Sequence, residues 1–309
     1  MICNLCPRNC NVDRSVSLGV CKTDNIIVSR VARHNWEEPC ISGQKGSGTI
    51  FFAGCNLHCR FCQNYDISVN PHGAEVTYRR LADIMLYLQD TGVANINLVT
   101  PTHFSDKICQ ALSIVKQRLN IPVVYNTSSY EKVEALQKLD GLVDVYLPDL
   151  KFCSKTVSRR LANAADYFAV ATAAIGEMRR QQPCEVFDEQ GYIKRGMIVR
   201  HLVLPSYVED SKLILDWIAD FDKNLYISLM SQYFVARLDG DCPELNRKLF
   251  KHEYENIKNY FYNLGLTHGY FQDIESATKD YLPSFDESEI GRVLKTVPHV
   301  FTESAVERN

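Results

Sequence analysis

The sequence predicts an α/β protein: a partial (β/α)6 TIM-like barrel preceded by a short N-terminal Cys-rich metal-binding segment. Three observations carry this. Short β-branched or aromatic runs alternate with longer stretches whose apolar residues recur at i, i+3, i+4 and i+7, so strands alternate with amphipathic helices around a parallel sheet. The alternation repeats about six times between Thr49 and Leu229, too few for a closed eight-stranded barrel. The strands also end on polar residues, where a barrel builds its site. At 309 residues the chain can bury a sizeable core as one such domain with an appendage. The expected division is a metal-binding segment over 1–48, a barrel over 49–282 and a tail over 283–309.

The first segment carries Cys3, Cys6, Cys10 and Cys21, in the pattern C-x2-C-P-R-N-C followed by Gly19-Val20-Cys21. Paired cysteines around a turn make half of a four-ligand site, and four soft donors suit zinc or an iron–sulfur cluster. Cys40 could replace one of the four or stay free. The loop Ile41 to Gly48 is glycine-rich but lacks phosphate-cradle spacing and precedes a strand, so it reads as a turn.

The first strand is Thr49-Ile50-Phe51-Phe52-Ala53, bounded by glycines. At its carboxyl end stand Cys55, Cys59 and Cys62, spaced C-x3-C-x2-C. Three thiolates in one tight loop can converge on a single inorganic core, and three ligands on an iron–sulfur cluster leave one iron open. The plainer alternative is a zinc loop. The next strands are Asn95–Val99, Pro122–Tyr125, Val143–Leu147, Met197–Leu204 and Leu225–Leu229. Between them lie helical stripes such as Leu81, Ile84, Met85, Leu88 and Ile108, Ala111, Leu112, Val115, with a helix over about Leu161 to Arg180. Glu185–Ile193 reads as a hairpin ahead of the fifth strand, and Ile290, Val293, Leu294 and Val297 form one amphipathic segment in the tail.

The polar strand ends are Thr100, Thr102 and His103; Asn126, Thr127 and Ser128; Asp149 and Lys151; Arg200 and His201; and Ser231, Gln232 and Tyr233. Thr102 or Ser128 could equally cap a helix, and Asp149–Lys151 could be a surface pair worth little. Net charge is −3, which offers no case for a nucleic-acid or acidic-membrane surface. No apolar run reaches membrane-spanning length, and Met1–Pro7 lacks the basic start and apolar stretch of a signal peptide. Twelve cysteines without an export signal point to metal ligation in a reducing cytoplasm. Cys109, Cys153, Cys184 and Cys242 stand singly and read as small buried hydrophobes.

The motif C-x3-C-Φ-x-C, with Gly54 before it and Arg60-Phe61 inside it, resembles the signature of the radical S-adenosylmethionine (SAM) superfamily. The runs Cys6–Cys10, Trp36–Gly43, Gly54–Leu57, Cys62–Ser68 and Asn95–His103 look like its PflX-type branch, named for similarity to pyruvate formate-lyase activating enzymes. The resemblance implies a [4Fe–4S] cluster on Cys55, Cys59 and Cys62 whose open iron chelates SAM. Reduction by a donor such as flavodoxin or ferredoxin would cleave SAM to methionine and a 5′-deoxyadenosyl radical that abstracts hydrogen. It implies that Phe61 covers the adenine, and that Asn126, Thr127, Ser128, Asp149, Lys151 and Arg200 line the SAM site. Thr100 and Thr102 fall where relatives carry Gly-Gly-Glu for the methionine amine, a motif this chain lacks. Gln232 or Tyr233 stands where activases carry a histidine. Activation of a glycyl-radical enzyme follows by analogy. Radical modification of a peptide or small molecule, and a non-enzymatic zinc- or iron-binding interaction protein, are the alternatives.

Overall fold

In the computed structural model, which describes residues 2–272 and 283–302, the chain opens with an antiparallel pair, β1 (Ile2–Cys3) and β2 (Val12–Asp13). Next come β3 (Ile26–His34), the short helix α1 (Pro39–Ser42) and β4 (Ser47–Phe52). After the central cysteines follow α2 (Tyr65–Val69), β5 (Ala74–Val76) and α3 (Tyr78–Asp90). The alternating part runs β6 (Ile96–Val99), α4 (Ser105–Val115), β7 (Val123–Thr127), α5 (Val133–Gln137), β8 (Val145–Pro148), α6 (Lys155–Ala162) and α7 (Tyr167–Gln181). It continues through β9 (Val186–Phe187), β10 (Ile193–Leu202), α8 (Val208–Phe221), β11 (Tyr226–Met230), α9 (Lys251–Asn263), β12 (Gly269–Phe271) and α10 (Glu287–Thr296). The outer ends of the expected barrel and tail, 273–282 and 303–309, lie outside the described residues.

The six strands expected from sequence are β4, β6, β7, β8, β10 and β11, and they adjoin in parallel in that order. The sheet is longer than expected. β12 adds a parallel strand beyond β11, while β3 and β5 extend the other edge antiparallel. The path keeps two ends, as an open barrel does. The expected hairpin forms as β9 on β10. The expected helix from Leu161 to Arg180 is instead two helices, because Asn163 takes a left-handed conformation (φ 48°) and stops α6.

Period-two alternation sorts the strand side chains into two sets. Val123, Tyr125, Tyr146, Met197, Val199, Ile227 and Leu229 pack into the large core shared with the helices. Val124, Val145, Leu147 and Ile198 belong to a separate cluster that also contains Cys40 and Ile41. α1 therefore seals the inner face of the sheet, with Ile41 fully buried, a burial worth about 1.5–3 kcal/mol. Pro39 at its first turn needs no N–H there and presets the helical φ. Cys40 belongs to this seal.

α10 gives the amphipathic tail segment a seat. Ile290 and Val297 are buried, Arg30 pairs with Glu289 at 2.9 Å, and Arg80 donates to the carbonyls of Leu294 and Val297. Just ahead of it, Phe285 meets Phe51 edge to face at 5.5 Å.

Candidate active site

The loop after β4 is shaped by close approach. Gly54 has φ 81°, and a Cβ there would fall 2.4 Å from the Cys21 carbonyl oxygen, so only glycine fits. Its N–H donates to Ile67 O at 2.7 Å, and a Cys62-to-Cys59 backbone turn closes the loop. Arg60 N–H is tied to Leu161 O, and the Arg60 guanidinium grips Asp239 and Asp241. The Cys55, Cys59 and Cys62 thiols face one cavity.

Burial pushes all three thiols above the ordinary range, and Lys151 pulls them partly back. Burial therefore disfavours bare thiolates here. A bound cation must supply the stabilisation that deprotonates them. Among the described residues no three His, Cys, Asp or Glu side chains converge on one point as the ligands of a single ion do. A cubane asks for something else: each thiolate binds a different iron, so the sulfurs stand apart around the cube. Three soft donors, Cys59 buried and Cys55 and Cys62 half-buried, with Lys151 and Arg8 facing the charge they would share, fit that group.

Thr100, Asn126, Thr127, Ser128, Asp149, Lys151, Arg200, Gln232 and Phe61 line the same cavity. Phe61 is largely buried, edge-on to Phe152. Tyr167 O–H bridges Ser128 O and Asp149 O at 2.9 Å each, pinning the ends of β7 and β8 together. Asp149 and Lys151 form a half-buried pair, their side chains 14% and 19% exposed, rather than a surface one. Burial raises the Asp149 carboxyl, but Arg200 and Lys151 outweigh it and hold the group below its usual value. Burial opposes the Lys151 charge, yet Asp149 and Cys59 carry its pKa upward. Arg200 reaches Asp149 Oδ1 at 2.8 Å, Asn126 Oδ1 at 2.6 Å and Glu37 Oε2 at 3.2 Å.

Two expected residues lie elsewhere. Thr102 is buried off the cavity, donating to Glu131 Oε1 at 2.6 Å. Glu131 also accepts from Thr127 and Tyr125, so Thr102 serves a hydroxyl network behind the strand ends. His201 points to the opposite face from Arg200, bonded to Leu150 O and Ser211 Oγ at 2.8 Å each. Burial lowers it to about 4, so it is a neutral packing group. Tyr233 bonds Leu245 O within the core, which leaves Gln232 as the cavity residue of that pair. Among the scattered cysteines Cys242 is buried as expected, whereas Cys184 is exposed.

Sequence reasoning passed over Glu37 and Glu38, which α1 lifts into the cavity. The available signal was Pro39, a helix-starting residue followed at once by apolar Cys40-Ile41.

The N-terminal thiols abut the central loop. Cys6 and Cys21 are buried, with Cys3 and Cys10 half-buried. Burial pushes Cys6 to about 11, with Arg8 N–H and the Asn56 side chain opposing and Cys21 and Cys10 adding to the rise. Arg14 donates to Cys21 Sγ at 2.8 Å. Arg8 stacks over Tyr130 and donates to Asn56 O (2.6 Å) and Leu57 O of the central loop, and to Ala162 O (2.9 Å) and Asn163 O at the end of α6. Removing it would free the loop that aims Cys55. Arg8→Ala is expected to release cluster iron to a chelator about tenfold faster, because contacts that orient metal ligands are worth that order of affinity. Release at the wild-type rate would mean that the other loop contacts suffice.

The model of the family described as the radical SAM superfamily matches residues 49–187. The chain is 32% identical over 276 residues to uncharacterized protein MJ0674 of Methanocaldococcus jannaschii, covering 85% of this chain and 76% of that one. The chain carries a radical SAM superfamily domain over residues 49–187. It is thus an enzyme, and its cofactors are a [4Fe–4S] cluster and SAM. Among solved structures it is similar to methylornithine synthase (PylB), at TM-score 0.47 and 14% identity over 70% of this chain and 62% of that one. It is also similar to Streptococcus suis SuiB bound to S-adenosylmethionine, at TM-score 0.49 and 14% identity over 76% of this chain and 52% of that one. It therefore spans about three fifths and half of those two proteins. Among the described residues of this radical SAM protein no helix is long and apolar enough to cross a membrane.

Proposed function

We propose that this radical SAM enzyme uses Cys55, Cys59 and Cys62 to hold its cluster and abstracts hydrogen from a substrate admitted to the cavity below it. When bound and reduced by a donor of the flavodoxin or ferredoxin kind, the cluster supplies the electron that splits SAM into methionine and a 5′-deoxyadenosyl radical. The chain's own contribution is orientation and exclusion of water. Lys151 and Arg200 would hold the SAM carboxylate, with Asp149 fixing both cations, and Asn126, Thr127, Ser128, Thr100 and Gln232 would satisfy its polar edges. Phe61 would cover the adenine.

The single observation behind this reading is that three thiols and the Lys151–Asp149–Arg200–Asn126 network face one cavity. Activation of a glycyl-radical enzyme, and membership of the PflX-type branch, rest on resemblance alone. A peptide or small-molecule substrate is favoured by Glu38, whose Oε2 has no hydrogen-bond partner among the described residues, since a glycine backbone offers a buried carboxylate no matching charge. Cys3, Cys6, Cys10 and Cys21 are proposed as a second metal site braced against the first. Anaerobic reconstitution tests both. The expected result is acid-labile sulfide, metal beyond the four irons of one cube, and 5′-deoxyadenosine formed from SAM under reduction. Zinc without sulfide would end the proposal.

A further inference from the structure

Charges inside the cavity do not balance. Three carboxylates, Glu37, Glu38 and Asp149, line it together with two cations, Lys151 and Arg200. Asp149 pairs with both cations and Glu37 pairs with Arg200. Glu38 is 6% exposed, and its Oε2 has no hydrogen-bond partner among the described residues. Beside it lie two further unsatisfied groups on inward-facing strand positions. Ser228 of β11 adjoins Glu38, and Asn97 of β6 adjoins Glu37. Both are fully buried; the Ser228 hydroxyl and the Asn97 amide face these carboxyls and draw them down, yet neither reaches a partner at full hydrogen-bond geometry among the described residues.

Burial raises the Glu38 carboxyl and outweighs Arg200 and Ser228, which draw it down, so its charge is only partly compensated. Buried amides and hydroxyls short of partners add to that cost. Such a cluster sits at the bottom of a reaction cavity because something bound there completes it. The cavity also has an apolar wall: Phe51, Ile67 and Val99 line it, with Phe285 packed against them. An apolar wall and a partly compensated carboxylate in one cavity match one ligand shape, an alkyl chain carrying a cation at its tip.

We propose that Glu38 is the substrate-recognition residue of this enzyme, and that the group it takes is a cationic nitrogen, an ammonium or guanidinium, on an alkyl chain. The proposal rests on the reading of the cavity as a substrate site. The cation would pair with Glu38 while Ser228 and Asn97 complete its hydrogen bonds. The alkyl stem would lie along Phe51 and Val99, exposing its C–H bonds beneath the cluster loop.

The test is calorimetric binding to the full-length, anaerobically reconstituted, SAM-loaded protein. The probes are Nα-acetyl-lysine amide, Nα-acetyl-arginine amide and the neutral Nα-acetyl-norleucine amide. The two cationic probes are expected to bind at least about tenfold tighter than the norleucine probe, since removing one partner of a buried charge pair costs that much or more. In Glu38→Gln the preference should shrink to about threefold or less while SAM affinity stays within about twofold. Equal binding of lysine and norleucine probes to the wild type overturns the proposal without need of the variant. So does a preference that survives Glu38→Gln, or a potassium ion that displaces the lysine probe and occupies the site itself. Failure of the wild type to bind SAM would instead defeat the reading of the cavity on which the proposal rests.

Discussion

Replacing Cys59 by alanine is expected to end SAM cleavage. Of the three thiols it lies deepest in protein and nearest the Lys151–Asp149 pair, at 8% exposure. The remaining sulfurs, Cys55 and Cys62, cannot hold a cube whose four irons each need a ligand from protein or cofactor. Reconstituted Cys59→Ala should therefore lose the iron and sulfide of that cluster, and 5′-deoxyadenosine formation should fall by more than about a thousandfold, into the background of the assay. Because free cysteine behaves as a small hydrophobe, the apoprotein should keep its stability to within about 1 kcal/mol. The comparison of apo stability with iron content thus separates a ligand from a packing residue. A variant that still yields deoxyadenosine at a wild-type rate would remove Cys59 from the ligand set.

Much of this arrangement was legible in the sequence because its signals are local. The six central strands announce themselves as apolar runs between helical stripes, and the central cysteines are separated by fewer than ten residues. Arg200, Asp149, Lys151 and Asn126 were found because strand ends in a barrel share one side. What escaped was long-range. Ile26–His34 has the β-branched content of a strand, but nothing near it says that it pairs with Ser47–Phe52 and enlarges the sheet. Three residues, Gly269–Phe271, are too few to show a period. Glu37 and Glu38 look like solvated charges in sequence, and only the docking of Cys40 and Ile41 against Val124, Val145 and Ile198 carries them inside. Thr102 shows the opposite error. It shares the strand-end loop with Thr100, but one turn of 3-10 helix directs it to Glu131. Arg8 lies about fifty residues before the loop it braces, so its role belongs wholly to tertiary structure.

The other large effect is expected at Arg200, which acts as the common donor of three groups contributed by different parts of the chain. Its guanidinium is 13% exposed and serves Asp149 from the end of β8, Asn126 from β7 and Glu37 from the segment before α1. Truncation to alanine leaves Asp149 with Lys151 alone and Glu37 with no counter-charge, and breaking a buried ionic network in this way costs about 3–5 kcal/mol. In a chain of this size that corresponds to a fall in the thermal midpoint on the order of 10 °C. Arg200→Lys should recover little of the loss, because an ammonium cannot reproduce the planar fork that meets three acceptors at once. The informative measurement is the double variant Arg200→Ala with Glu37→Gln. Once the cation is gone, removing the stranded carboxylate should restore about 1–2 kcal/mol relative to Arg200→Ala alone, although Glu37→Gln by itself is destabilising. A double variant whose loss is the sum of the two single losses would mean that Glu37 is satisfied without Arg200. The floor of the cavity would then be a set of independent pairs, and its charge would not depend on a single guanidinium.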